Sequence, residues 1–162
     1  MPALIDFPHS PAHRPGPRPA RRARPAHGRT TDPAVLLDQA WAGLAQARRE
    51  PSPDQRYVAA YLAALRAAAA MLALRGRPHR GRARPTSAWV LLASLAPELA
   101  EWAHYFAAGS ATRAAAEAGV TGHVTQRAAD DLVRQTAEFA DLVTGAVADA
   151  RPVADARPVA GT

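Results

Sequence analysis

The chain contains no cysteine and no lysine, and its 162 residues include only nine aromatic side chains. Without cysteine, disulfide staples and thiolate metal sites are excluded, and the redox compartment is left open. All twenty basic residues are arginine, a bias that reads as GC-rich coding rather than as function. No phosphate loop is present, because Gly76 and Gly81 lie in a basic stretch without the lysine and hydroxyl such a loop needs. A nucleophile elbow is missing as well. His9, His13, His27, His79, His104 and His123 show no ligand spacing, and Pro8 and Pro11 keep His9 and His13 off a common helix turn. No metal and no cofactor are expected. Arg21-Arg22 is followed by no apolar run, which argues against an export signal. The longest apolar runs, 57–74 and 88–108, are interrupted by Arg66 and by Glu98, Glu101 and His104. Charge at mid-span is costly in lipid. Both runs therefore read as buried bundle helices of a cytoplasmic protein with no membrane partner.

What is present is alanine, proline and a very uneven charge. Hydrophobic residues reach 48% and the formal charge is +6. Residues 1–31 hold six arginines and one aspartate, whereas residues 32–147 hold twelve arginines against eleven acids. The high isoelectric point thus belongs to an arm, and the central region is nearly neutral. Residues 1–31 are crowded with proline and arginine and lack the apolar surface to offset ordering, which predicts a disordered arm. Residues 148–162 repeat Ala-Asp-Ala-Arg-Pro-Val twice and read as a disordered low-complexity tail.

Between the arms the period is helical, since alanine loses no side-chain entropy in a helix. The spacing predicts an all-α, up-and-down bundle of four to five helices over 32–147. Asp32-Pro33 starts the first, which presents Leu37, Trp41 and Leu44 and stops before Pro51. Ser52-Pro53-Asp54-Gln55 is a capping box opening the second, with Val58, Leu62, Leu65, Ala69 and Leu72 as its inward stripe. The third starts at Thr86 or Ser87 and places Leu92, Leu95, Leu99, Trp102 and Phe106 at helical spacing. Pro97 either kinks it or begins a new helix. Ser110 caps a short helix through Ala118, stopped by Gly119, and Thr125 caps the last, with Leu132, Thr136, Phe139, Val143 and Val147 inward. Trp41, Trp89, Trp102, Phe106 and Phe139 are the large core anchors.

Three groups of residues carry functional interest. Arg75, Arg77, His79, Arg80, Arg82 and Arg84 form a basic loop without acids, suited to bidentate phosphate contact that is non-specific and salt-sensitive. Aromatics do not interleave, so base stacking is not supported. His104, three residues after Glu101, presents an acid–base group beside a carboxylate, against the blander reading of a solvated helix pair. Arg66, Glu98, Arg113, Glu117, Asp131 and Arg134 are charged residues near apolar faces and form a possible buried polar cluster, most simply a helix-register device.

Several segments carry a family resemblance. They are Arg56-Tyr57 with Ala63–Ala69, Ser87-Ala88-Trp89-Val90-Leu91-Leu92, and Pro97-Glu98-Leu99-Ala100-Glu101-Trp102-Ala103. Phe106–Gly109, Arg113 with Ala116–Gly119, and Arg127 with Ala129-Asp130-Asp131-Leu132 continue it. Over about residues 34–145 the chain resembles the HEPN superfamily, and within it a small alanine-rich, SAV-like actinobacterial family. The resemblance implies a helical bundle that often dimerises and often works on or beside RNA. Catalytic HEPN members are metal-independent ribonucleases that carry an arginine and, four to six residues on, a histidine on a late helix. Here Arg127 and Arg134 have no histidine downstream of them, Arg21 or Arg22 with His27 has the spacing but lies in the proline-rich arm, and Arg75 and His79 sit at a loop.

The sequence thus reads as a HEPN-like, non-catalytic binding or interaction module. Its implied partners are a second copy of itself, RNA, or a nucleic-acid-processing protein. One alternative is a metal-independent, toxin-like endoribonuclease with a displaced Arg/His pair, for which His104 and Arg134 would be the catalytic residues. Another is a structural adaptor acting through its basic arm.

Overall fold

The computed structural model describes residues 32–76 and 87–150. Residues 1–31 and 151–162, and Arg77, His79, Arg80, Arg82 and Arg84 of the basic loop, lie outside the described residues, whereas Ala148 and Asp149, read from sequence as the start of the tail, continue the last helix. Among the described residues there are six α-helices, one 3-10 turn and no strand. They are α1 (Pro33–Arg49), α2 (Pro53–Arg75), α3 (Ala88–Leu95), α4 (Ala100–Ala108), α5 (Ser110–Glu117) and α6 (Gln126–Asp149), with the 3-10 turn at Pro97–Leu99 between α3 and α4. The architecture is the expected all-α bundle, with α2 at its centre against α1, α3, α5 and α6.

Helix starts follow local chemistry. Asp32 accepts from the Ala34 amide at 2.9 Å, and Thr125 accepts from that of Ala128 at 3.1 Å. Ser52 accepts from the Gln55 amide at 3.4 Å, but the Ser52 amide donates to Glu50 at 3.5 Å, so only half of the expected capping box forms. Ser110 does not cap α5, because its hydroxyl is hydrogen-bonded to Tyr61 at 2.6 Å, and Gly109 takes the cap position instead. Gly76 ends α2 at a φ of +83°, where any other residue is strained. Pro97 does more than kink the third helix. The chain breaks there into a 3-10 turn, because proline cannot donate to the preceding turn.

The face of α2 is the main departure from the expected pattern. Val58, Leu62, Leu65, Ala69 and Leu72 are only half-buried. Tyr57, Ala60, Tyr61, Ala64, Ala67, Ala68 and Met71 form the buried side. A central helix has neighbours on several sides, so its alanines take the closest approaches and its leucines fill the flanks. The face of α6 is as expected, with Leu132, Thr136, Phe139, Val143 and Val147 all buried. Trp41 is a half-buried anchor whose indole donates to Thr144 at 3.3 Å.

The core centres on an aromatic knot. Trp89 stacks on Phe106 with centroids 4.9 Å apart, and Phe106 meets Phe139 at 5.2 Å. Trp102 closes the group against Phe139 at 5.7 Å. Helix α2 is the one described helix whose length and mean hydropathy (1.7) would suffice to cross a bilayer, yet 56% of that window is buried in the bundle.

Asp54, beyond its place in the first turn of α2, ties two distant segments together. Its carboxylate accepts from the Gly122 amide at 3.1 Å and the Val124 amide at 3.0 Å, fixing the loop before α6. Asp54→Ala should lower stability by about 1 kcal/mol, since it removes hydrogen bonds to a charged acceptor at a partly exposed site. Chemical denaturation checks this, and Asp54→Asn should recover part of the difference.

Candidate functional site

Two features of the surface go beyond ordinary bundle packing. The first is a tyrosine–arginine corner where α2, α3, α4 and α5 meet. Tyr61, buried in α2, donates to the Phe106 carbonyl at 3.0 Å and accepts from the Trp89 indole at 2.7 Å. The Arg113 guanidinium lies 5.3 Å above the Tyr61 ring and bonds both Glu117 oxygens at 2.7 and 2.8 Å. Its Nε is buried with no partner among the described residues. Gly109 makes the corner possible, because a Cβ there would sit 2.6 Å from the Tyr57 hydroxyl.

Burial pushes the Tyr57 phenol up, reinforced by Tyr105 and Tyr61 and opposed by a hydrogen bond with Thr112. Burial likewise raises Tyr105, with Asp131 adding to the rise and Arg134 opposing it. Both phenols therefore stay neutral in the physiological range. A phenol whose pKa rises on folding gives up its proton more readily in the unfolded chain. Stability is thus held below the ordinary tyrosine value of about 10 and falls as pH climbs through and beyond it. Melting temperature should decline more steeply above pH 10 in wild type than in Tyr57→Phe. Equal slopes would remove the Tyr57 phenol as a cause.

The residues singled out from sequence are dispersed rather than gathered. Arg113 pairs with Glu117 within α5, and Arg134 pairs with Asp131 within α6 at 2.8 Å. Glu98 pairs with Arg75, bridging the 3-10 turn to the end of α2. Arg66 faces α1, away from these pairs. Two of the six, Arg113 and Glu117, belong to the corner, and Glu117 and Arg134 are exposed. His104 is exposed on α4 and forms no ion pair with Glu101 or any other described residue. Among the described residues no group of three or more histidine, aspartate or glutamate side chains is arranged to hold a metal.

The second feature is a cleft of about 210 Å³ between α1 and α2, lined by Gly43, Gln46, Glu50, Gln55, Leu62 and Arg66 among others. Gly43 lets the helices close here, since a Cβ would stand 2.8 Å from the Arg66 Nη1 and 3.4 Å from the Ala63 Cβ. Sequence reasoning singles out Arg66 but misses this setting. The available signal is Gly43 itself, a glycine inside an otherwise good helical pattern, which usually marks close packing.

The model of the SAV_6107-like HEPN family matches residues 47–144, more than half of the chain. The chain belongs to that family. The matched span runs from the last turn of α1 through most of α6 and includes the tyrosine–arginine corner. Gly43 and Gln46 precede it. No curated protein and no solved structure matches the chain.

Proposed function

We propose that this HEPN domain is a non-catalytic binding module that works as a homodimer beside RNA or a nucleic-acid-processing protein. The observation that carries the reading is the incomplete proton-transfer pair. Arg134 is engaged by Asp131 one turn away on its own helix, and His104 stands exposed on α4 without a charged partner among the described residues. General acid–base work on a phosphodiester needs both groups at one reacting centre.

Charge supports the loop as the phosphate contact. The described residues carry eight arginines against twelve carboxylates, a net of −4. The bundle surface is therefore a poor electrostatic host for nucleic acid. The cationic charge lies in residues 77–84, with four arginines, and in residues 1–31, with six. Arg75 is tied to Glu98, but the two side chains are 43% and 49% exposed. Such a surface pair is worth about 0–1 kcal/mol and yields readily to a phosphate.

The test is RNA affinity of the full chain against a variant with Arg77, Arg80, Arg82 and Arg84 changed to glutamine, over a range of salt. Affinity should fall, and the salt slope should drop by about 0.7 for each single-strand phosphate that is no longer neutralised. Unchanged affinity and slope would remove the loop from the reading and pass phosphate binding to the basic arm.

A further inference from the structure

We propose that the α1–α2 cleft binds a small zwitterion, its carboxylate on Arg66 and its ammonium on Glu50. The basis is a pair of opposite charges that line one cavity without meeting. Arg66 and Glu50 are both half-buried, and neither forms an ion pair with any described residue; the Glu50 carboxylate accepts a long hydrogen bond from the Ser52 amide at 3.5 Å, which leaves its charge unbalanced. A half-buried charge normally finds a counter-charge, because desolvation otherwise goes uncompensated. Here the helices hold the two apart. The Arg66 guanidinium is pressed against Gly43, and Glu50 is the C-cap residue just past the end of α1, seven positions beyond Gly43 and roughly 10 Å along the axis at helical rise.

Between the charged ends the lining fits a short spacer. Leu62 gives an apolar floor, and Gln46 and Gln55 supply amides on the rim. The cleft's 210 Å³ corresponds to roughly seven waters at liquid density. An ω-amino acid of similar atom count fits that space. The planar guanidinium fork suits a bidentate carboxylate. A simple anion would leave Glu50 facing it, and a simple cation would leave Arg66 unanswered. Only a ligand with both charges answers both walls.

The experiment is an NMR titration of the isotopically labelled full chain with 5-aminopentanoate, with pentanoate and pentylamine as single-charge controls. The zwitterion should give saturable shifts centred on Gly43, Gln46 and Leu62, with a dissociation constant on the order of 1 mM. Each control should bind at least about tenfold more weakly, because it lacks one of the two charge-assisted hydrogen bonds. Arg66→Gln and Glu50→Gln should each cost the zwitterion about tenfold or more. Gly43→Ala keeps both charges but crowds the guanidinium, and should also weaken binding. It serves as an independent check if Arg66→Gln disturbs the fold. Absence of saturable shifts up to about 50 mM, or pentanoate binding as tightly as the zwitterion, would overturn the proposal.

Discussion

Phe106→Ala is expected to cost the domain about 3–5 kcal/mol, the usual range for deleting a fully buried phenylalanine. Its ring is 0% exposed and packs on Tyr61, Trp89, Trp102, Tyr105 and Phe139. With so few aromatic residues in the chain, no other large side chain is free to fill the void. The neighbours come from α2, α3, α4 and α6, so one deletion loosens four helices at once. Domains of this size hold about 5–15 kcal/mol in total, so the change takes about a fifth or more of that stability. Melting temperature should fall by about 12 °C or more. Phe106→Leu, which keeps most of the volume, should cost less than half as much. If Phe106→Ala melts within a few degrees of wild type, the aromatic knot is not the centre of the core.

The second large effect is expected from Tyr61→Phe, which removes one oxygen atom. The Tyr61 hydroxyl accepts the Trp89 indole N–H at 2.7 Å in a buried setting. Without it that N–H is left unpaired, at a cost of about 1–3 kcal/mol. The Phe106 carbonyl loses the same hydroxyl but keeps the Gly109 amide at 3.0 Å, so it is not orphaned. The ring stays, and with it the packing under Arg113. The double substitution Tyr61→Phe with Trp89→Phe removes donor and acceptor together. Relative to Trp89→Phe alone, the tyrosine change should then cost much less, a coupling that a double-mutant cycle reads directly. Full additivity of the two changes would contradict the hydrogen bond.

Much of the fold is legible in the sequence because its helices announce their ends. Asp32, Ser52 and Thr125 occupy the cap positions that their side chains suggest. The last helix is readable in detail, since α6 is one-sided and its apolar spacing marks a single buried face. Helix α2 is less so. It is surrounded, and in such a helix leucine spacing does not identify the inner face. Alanine carries too little hydrophobic contrast to mark the tight side. Pro97 is recognisable as a breaker, but whether it kinks or interrupts depends on how Leu99 and Phe106 seat in the core. The candidate sites are harder still. Sequence spacing supplies charged residues but not their partners, and Arg113, Arg134 and Glu98 find theirs nearby. The Arg66 cleft depends on Gly43 and Glu50 of another helix, a pairing that no local pattern contains.

We propose that His104 and Arg134 form no proton-transfer pair and that this HEPN domain binds RNA without cutting it. RNA cleavage by the full chain in the presence of EDTA tests it most directly, alongside Arg134→Ala and His104→Ala. The account predicts no cleavage above background in any of the three proteins. Metal-independent cleavage by the wild type that disappears in either variant would contradict it.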